Sequence, residues 1–321
     1  MSRAQSLFAP LVPIYAAGLA AKNLAYDRTW VKPKRLQWPV VSIGNLSVGG
    51  AGKTPVVIRL AQLLRDAGHS IDVLSRGYGR GSNDVLRVDP EGSVAQFGDE
   101  PLLIAQSGIP VYVGADRYAA GALAEREQST KGIHLLDDGF QHRRLARDLD
   151  IVALHRSDFD QQLLPTGRLR EPLLALQRAS ILILRPEDRE LEAELRRRNI
   201  TAPIWIQHRR LIIEPGARAV AFCGIARPDE FFAAVEAQGT DLAGISAFRD
   251  HHTYSDSDLD ALFELRARHH AEAFITTEKD FVRLTPPQRQ RLAPLHIARL
   301  EIVFENEAAI TDDLAGLLVR K

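Results

Sequence analysis

A lysine and a threonine follow a glycine-rich segment early in the chain, the arrangement expected of a loop that binds phosphate. Glycines let successive backbone N–H groups turn toward an anion, and the helix that follows adds the positive end of its dipole. In such a loop the lysine reaches the β- and γ-phosphates and the threonine hydroxyl binds Mg²⁺. The predicted contacts are Ser47, Val48, Gly49, Gly50, Ala51, Gly52, Lys53 and Thr54. Ser47 stands where the usual pattern has its first glycine. A glycine turn that binds nothing is the alternative, but such a turn would not need the Lys-Thr pair.

Two adjacent aspartates, Asp137 and Asp138, follow the apolar run from Ile133 to Leu136. An apolar strand that ends in carboxylates is typical of the Mg²⁺-binding strand of nucleotide hydrolases and kinases. Mutual repulsion disfavours the ionisation of both groups unless a cation is near. The alternative is a structural turn at Asp138-Gly139.

Three further polar segments leave their roles open. The segment from Ser75 to Arg80 suits anion or sugar recognition, or it is a solvated glycine loop. Asp99 is either the cap of a helix that begins near Pro101 or a catalytic base. The adjacent His251 and His252 are a poor metal site, because neighbouring side chains rarely point at one ion.

Elements that would position these residues alternate between apolar strands and helix-like segments. This alternation predicts βαβ units and a mainly parallel sheet with helices on both faces, whose ligands bind at the carboxyl ends of the strands. Near Ala202 the pattern changes to an extended or hairpin linker, in which Ile297 to Phe304 could pair with Leu211 to Ile213. We therefore predict a phosphate-binding domain over residues 1–205. Residues 206–321 would form the linker and a smaller α/β lobe, whose C-terminal helix could pack back on the first domain.

Composition narrows the class of protein. The 321 residues suit two domains, and Lys+Arg and Asp+Glu both number 41, which argues against a nucleic-acid partner. The single cysteine, Cys223, excludes an intrachain disulfide and a cysteine metal cluster, and indicates a reducing compartment.

The N-terminal segment is unusual because Leu7 to Ala21 contains only apolar residues, Pro, Gly and Tyr, and basic residues follow it. Fifteen residues are too few to span a bilayer. An apolar segment before a basic one is typical of a helix lying on a membrane surface. A helix packed on the domain is the alternative, and a signal peptide is a weaker one.

Taken together, the motifs resemble those of the tetraacyldisaccharide 4'-kinase (lipid A 4'-kinase) family. They occur in the family's order over most of the chain, and D-D-G-F-Q-H with S-R-G-Y-G-R is the most specific combination. The matching segments are Gly44 to Thr54, Ser75 to Arg80, Gly98 to Pro101, Leu136 to His142, Leu169 to Pro172, Asp250 to His252 and Thr277 to Asp280. Ser47 is then the family's own variant of the loop.

The resemblance implies a role for each segment. Asp99 would be the base, paired with His251 or, as the alternative, His252, and Lys53 and Asp138 would complete the catalytic group. The implied metal ligands are Thr54, Asp137, Asp138 and Glu171. The nucleotide site would gain Glu278 and Lys279. The implied substrate contacts are Arg76, Tyr78, Arg80, Gln141, His142 and Arg170.

The family's reaction transfers the γ-phosphate of ATP, with Mg²⁺, to the 4'-hydroxyl of a tetraacylated glucosamine disaccharide 1-phosphate. The resemblance implies a monomeric, peripheral enzyme of the cytoplasmic face of the inner membrane, which the N-terminal segment would contact. Two alternatives are a loop-containing ATP-dependent enzyme of a soluble metabolite and a membrane-associated partitioning or switch ATPase. Val48 argues against the latter, which would have a lysine there.

Overall fold

A computed structural model describes residues 9–49, 52–214, 216 and 218–319 of the chain. Gly50 and Ala51, two of the predicted phosphate contacts, lie outside the described residues, as do Leu7 and Phe8 of the N-terminal apolar run.

The described strands form one twelve-stranded sheet, in the spatial order β10-β9-β11-β12-β8-β7-β6-β1-β5-β2-β4-β3. In chain order the strands are β1 (Val40–Asn45), β2 (Ser70–Ser75), β3 (Leu86–Arg87), β4 (Val111–Val113), β5 (Gly132–Asp137), β6 (Leu149–Ala153), β7 (Ile181–Leu184), β8 (Ile204–Ile212), β9 (Ala219–Cys223), β10 (Leu242–Ala247), β11 (Ala273–Thr277) and β12 (Leu295–Phe304). All neighbours pair in parallel except β3 with β4 and β8 with β12.

Helices cover this sheet and are named here in chain order. They are α1 (Leu11–Asp27), α2 (Lys53–Asp66), α3 (Val94–Phe97), α4 (Asp99–Gln106), α5 (Arg117–Glu127), α6 (Leu191–Arg197), α7 (Pro228–Ala237), α8 (Asp256–Arg268), α9 (Glu278–Arg283), α10 (Pro286–Arg291) and α11 (Glu307–Val319). Every residue of β1 and β5 is buried, as expected for central parallel strands with both faces covered. The predicted mainly parallel α/β architecture is confirmed.

Strand β8 connects the two parts of the sheet. Its first residues pair in parallel with β7, with Ile204 opposite Leu182. Its later residues pair antiparallel with β12, with Leu211 opposite Leu300, so the predicted pairing of these two segments is confirmed. The residues from Gln207 to Arg210 form no hairpin and continue one extended strand. They are polar, but the strand still alternates between more and less exposed side chains there, as a two-sided ribbon requires. The boundary at residue 205 stays a prediction.

The last helix packs back on the phosphate-binding part of the chain. Ile310 and Leu314 of α11 are buried in the same apolar cluster as Val56 and Leu60 of α2. Arg59 of α2 also forms an ion pair with Glu307 at the start of α11.

The N-terminal helix α1 lies on the surface of the fold, and none of its residues is buried. The Tyr15 hydroxyl donates to the backbone oxygen of Arg170 at 2.8 Å, and Arg143 pairs with Asp27 at 2.7 Å. Its apolar side chains Leu11 and Ile14 face solvent. Among the described residues, no helix combines the length and apolar character needed to cross a bilayer.

Candidate functional site

The phosphate-binding loop joins the end of β1 to the start of α2. Gly49 and Gly52 have φ of +95° and +68°, the left-handed region that favours glycine. A Cβ on Gly49 would lie 2.0 Å from Nη2 of Arg168, and one on Gly52 would lie 2.3 Å from Nη2 of Arg209. The positive φ favours glycine at both positions, whereas either arginine side chain could move aside for a Cβ.

Lys53 begins α2 and turns its ammonium toward the end of the sheet. Its Nζ donates to Asn45 Oδ1 at 3.0 Å and lies 3.3 Å from Asp138 Oδ1. Thr54 is the next residue of the helix and is buried. Strand β1, helix α2 and the end of strand β5 thus bring the lysine, the threonine and a carboxylate together, as the sequence predicted.

The two aspartates at the end of β5 have different surroundings. Asp138 has a positive φ of 49° and pairs with Arg170 Nη1 at 2.7 Å as well as with Lys53. Burial alone would raise the pKa of Asp138, but the charges of Lys53 and Arg170 outweigh it and hold the pKa below its usual value.

Asp137 accepts a hydrogen bond from Ser75 Oγ at 3.1 Å, while its Oδ1 is buried without a hydrogen-bond partner among the described residues. Burial, followed by the negative charges of Glu100 and Asp138, raises the pKa of Asp137. A cation beside this oxygen would relieve both the burial and the repulsion.

The side chains present fit a magnesium ion. Thr54, Asp137 and Asp138 supply oxygen donors, and the buried unpartnered Oδ1 of Asp137 gives a reason for a cation there. In the described part of the chain, no three His, Cys, Asp or Glu side chains gather into a site that would hold a metal by themselves. Mg²⁺ commonly binds through one or two carboxylates with water and phosphate oxygens, so a small protein donor set suits it.

Arg170 and Gln141 form a hydrogen-bonded platform beside Asp138. Arg170 Nη1 donates to Gln141 Oε1 at 3.2 Å and its Nη2 donates to Asn45 Oδ1 at 3.3 Å. Gln141 Nε2 donates to the backbone oxygen of Asn45 at 2.9 Å. Both residues therefore lie at the predicted site, next to the carboxylate that meets Lys53.

Asp99 at the start of α4 meets His251 from the loop after β10. His251 Nδ1 lies 2.8 Å from Asp99 Oδ2, and the second oxygen of Asp99 accepts the N–H of Glu100 at 2.9 Å. His252 instead bonds Asp258 at 3.0 Å, which leaves His251 as the histidine at Asp99. Gly98 precedes the helix as its cap residue, so Asp99 begins α4 and is not its cap.

The charges around Asp99 keep it ionised. Burial would raise its pKa, but the hydrogen bond from His251 and the charges of Lys279 and Arg283 hold the pKa well below its usual range. Lys279 Nζ lies 3.9 Å from Asp99 and 3.1 Å from Glu100 Oε1. Glu100, which pairs with Lys279 beside Asp99, also raises the pKa of Asp137, so the charge of Glu100 links the surroundings of Asp99 to those of Asp137.

Three of the predicted site residues, Glu171, Arg80 and Glu278, bond other groups of the protein. Glu171, predicted as a metal ligand, is buried and ion-paired with Arg178 at 2.8 Å, and it accepts from Asn23 of α1 at 3.2 Å. Binding a metal would require Glu171 to exchange these partners, and its role as a ligand stays a prediction. Arg80, predicted at the substrate, donates to the backbone oxygen of Asp84 in its own loop.

Glu278, predicted at the nucleotide, accepts the N–H of Leu300 in β12 at 3.4 Å and lies 3.8 Å from Arg299. Burial raises the pKa of Glu278. Its neighbour Lys279 turns to the Asp99–His251 pair, with Nζ 3.4 Å from His251 Nε2. Glu278 and Lys279 at the start of helix α9 thus point in different directions, one toward β12 and the other toward the Asp99–His251 pair.

The remaining predicted substrate residues lie near His251 or near Arg117. The exposed ring of Tyr78 lies 5.7 Å from the His251 ring, and Arg76 is exposed near Arg117. His142 follows the Gln141 platform, and burial, together with Arg117 and other arginines, lowers its pKa to about 4. His142 is therefore neutral at neutral pH.

Four residues that contact the site were missed by sequence reasoning: Asn45, Arg168, Arg209 and Arg283. Arg168 donates to the Val48 carbonyl at 3.0 Å and receives the Val48 N–H on its own carbonyl at 2.7 Å. Asn45 lies inside the matched G-N-L-S segment and Arg168 just before L-R-E-P, so both could have been found. Arg209 and Arg283 come from β8 and α9, where only the folded chain brings them to the site.

The chain matches the model of the family described as tetraacyldisaccharide-1-P 4'-kinase over residues 4–318. The chain belongs to this family. The predicted family is confirmed.

Relatives of full length agree with this assignment. The tetraacyldisaccharide 4'-kinase of Koribacter versatilis is 41% identical to this chain, and the match covers 97% of this chain and 99% of that protein. That of Geobacter metallireducens is 38% identical over 92% and 93% of the two chains. The crystal structure of LpxK from Aquifex aeolicus in complex with ATP superposes with a TM-score of 0.78 at 31% identity, covering 98% and 99% of the chains.

Proposed function

We propose that this kinase-family protein transfers the γ-phosphoryl group of ATP to the 4'-hydroxyl of a tetraacylated glucosamine disaccharide 1-phosphate. The observation that carries the proposal is a pair of contacts: Lys53 meets Asp138 at the phosphate loop, and Asp99 meets His251, with the charge of Glu100 acting on Asp137 beside the loop. Family membership and the ATP complex of the Aquifex relative support the choice of nucleotide and acceptor.

In the proposed reaction the 4'-oxygen forms a bond to the γ-phosphorus while the bond between that phosphorus and the ADP oxygen breaks. Lys53 and the N-terminus of α2 neutralise the phosphate charge, which is the main requirement of phosphoryl transfer. The Asp99–His251 pair receives the proton of the attacking hydroxyl. Thr54, Asp137 and Asp138 would hold Mg²⁺, which supplies further charge neutralisation when bound.

The acceptor would lie on the open side of the site, toward Tyr78, Arg76, Gln141 and His142. Helix α1 borders the same region, because Lys22 Nζ donates to the backbone oxygen of Gln141 at 3.0 Å. We propose that α1 contacts the membrane surface that holds the acyl chains, at the cytoplasmic face where ATP is present. The enzyme would then be peripheral and act as a monomer.

The test is incubation of the purified protein with labelled ATP, Mg²⁺ and the tetraacyl disaccharide 1-phosphate. We expect label in the lipid, near-complete loss of transfer in Lys53→Ala, and a loss of roughly 10²–10⁴ in turnover in Asp99→Asn. Lys131→Ala, an exposed lysine at the amino end of β5, serves as the matched control. A wild-type protein that binds ATP but leaves the lipid unlabelled would overturn the proposal.

A further inference from the structure

Arg283 is a buried cation outside the groups assigned above. It ends helix α9 and only 4% of its side chain is exposed, in contact with the carboxylate of Asp99, of which 5% is exposed. Burying an arginine is costly unless its N–H groups are paired, so each contact of this guanidinium needs a reason.

The guanidinium divides its hydrogen bonds between the two parts of the molecule. Nε donates to Asp99 Oδ2 at 2.9 Å, and Nη2 approaches the same oxygen. Nη1 donates to the Gly224 carbonyl at 2.6 Å and to Asp280 Oδ1 at 3.0 Å. One edge of Arg283 thus contacts helix α4, while the other contacts the loop after β9 and its own helix.

The second edge has a firm anchor. Asp280 is fully buried and accepts the N–H of Gly224 and the hydroxyl of Tyr254, both at 2.9 Å. Its other oxygen accepts from Thr277 Oγ1 at 2.6 Å. A carboxylate with these partners has little freedom, so it fixes the position of Arg283.

Arg283 and His251 also share two acceptors. Asp99 Oδ2 receives Arg283 and His251 Nδ1, and the Gly224 carbonyl receives Arg283 Nη1 and the backbone N–H of His251 at 3.2 Å. His251 has a φ of 60°, a conformation uncommon for a residue other than glycine, and its N–H also donates to Asp250 Oδ1 at 3.1 Å. The guanidinium of Arg283 therefore bonds Asp99 directly and shares two acceptors with His251.

We propose that Arg283 is a positioning residue, which fixes the Asp99 carboxylate against His251 across the two lobes of the enzyme. This inference rests on the proposed phosphotransfer, because it assigns the geometry of the groups that receive the hydroxyl proton. Arg283 contacts neither ATP nor the lipid in this assignment.

The positioning role of Arg283 should be visible in the pH dependence of activity. Asp99 is faced by Arg283 and Lys279 from α9, by His251 from the loop after β10, and by Glu100 from its own helix. Without Arg283 the burial of Asp99 would be less compensated and its pKa would rise. Since the base must be deprotonated, the variant would lose activity on acidification at a higher pH than the wild-type protein does.

The experiment compares Arg283→Met and Arg283→Lys with Arg289→Met, an arginine of the next helix that stacks on Phe281 at 4.1 Å. We expect Arg283→Met to lower kcat by ~10²-fold with the KM for ATP unchanged, because misplaced catalytic groups cost about that much. Its acid limb should move to higher pH. Arg283→Lys, which keeps the charge but loses the two-nitrogen contact, should restore part of kcat. Arg289→Met should behave as wild type.

A wild-type kcat in Arg283→Met, or a loss of kcat with an unshifted acid limb, would overturn the inference. If Arg283→Met does not fold, Arg283→Lys decides: an unchanged kcat and acid limb in that variant would also overturn it. These results differ from failure of the proposed function, in which the wild-type protein itself would leave the lipid unlabelled.

Discussion

Adjacent residues of the same type can have opposite electrostatic properties, as Asp137 and Asp138 show. Asp138 lies between Lys53 and Arg170, which lower its pKa, whereas burial raises the pKa of Asp137 beside the hydroxyl of Ser75. Asp138 has a left-handed φ in the turn that follows β5. The sequence indicated repulsion between the two carboxylates. In the structure Asp138 is paired with two cations, whereas Oδ1 of Asp137 has no hydrogen-bond partner among the described residues.

His142 gives a prediction at this scale, because the folded state lowers its pKa from 6.5 to about 4. The unfolded chain binds more protons than the folded chain between these values, so this residue makes the protein less stable as the pH falls through that window. In His142→Gln the free energy of unfolding should depend less on pH from 6.5 to about 4. Urea denaturation across the window measures the difference, with His69→Gln as control. Parallel curves for His142→Gln and wild type would contradict the prediction.

At the scale of elements, the helices differ in how they begin. Ser255 and Thr285 close capping boxes at α8 and α10, and Asp116 caps α5, so these first turns have side-chain acceptors. Helix α2 begins after Gly52, which has no side chain to offer. Helices α4 and α7 also begin without a side-chain cap, so phosphate binding at the start of α2 stays a prediction from the loop and the helix dipole.

The packing of α11 on α2 gives a second prediction. Leu314 is fully buried among the side chains of that cluster, so Leu314→Ala should lower the free energy of unfolding by about 2–5 kcal/mol. Asp313→Ala, at an exposed position of the same helix, should change it by less than about 0.5 kcal/mol. Equal stabilities of the two variants in urea denaturation would show that α11 does not support α2 in solution.

For the whole molecule, membrane contact depends on where charged and apolar side chains lie on the surface, because the net charge is zero. Helix α1 exposes 46% of Leu11 and 68% of Ile14, and basic residues follow it from Lys32 to Arg35. Deleting the helix would be a poor test of membrane contact, because Tyr15 and Asn23 bond the backbone of Arg170 and the side chain of Glu171. Point substitutions leave those bonds intact.

We expect Leu11→Ser with Ile14→Ser to reduce cosedimentation with vesicles of phosphatidylcholine and phosphatidylglycerol severalfold, since burial of apolar surface drives binding of surface helices. Added salt should weaken wild-type binding as well. Ile245→Ser, an exposed isoleucine of β10, is the matched control. Undiminished binding of the double variant would place the membrane contact elsewhere.

Much of this protein could be read from short segments. The glycine loop, the strand that ends in Asp137-Asp138 and the order of the motifs predicted the family and the parallel α/β fold, and both are confirmed. These features are local: a glycine with positive φ, a buried strand and the polar residues at its end lie within a few positions of one another. The roles of the individual site residues stay predictions that the experiments above address.

Only the tertiary structure decided which distant groups meet. The pairing of His251 rather than His252 with Asp99 and the contact of Arg283 with Asp99 join residues far apart in the chain. Sequence adjacency cannot decide among neighbours such as these, because the side-chain direction depends on backbone angles and on what packs opposite. The sequence by itself determined a phosphate-binding loop and its fold. The packing of His251, Lys279 and Arg283 against Asp99 determined the surroundings of the proposed base.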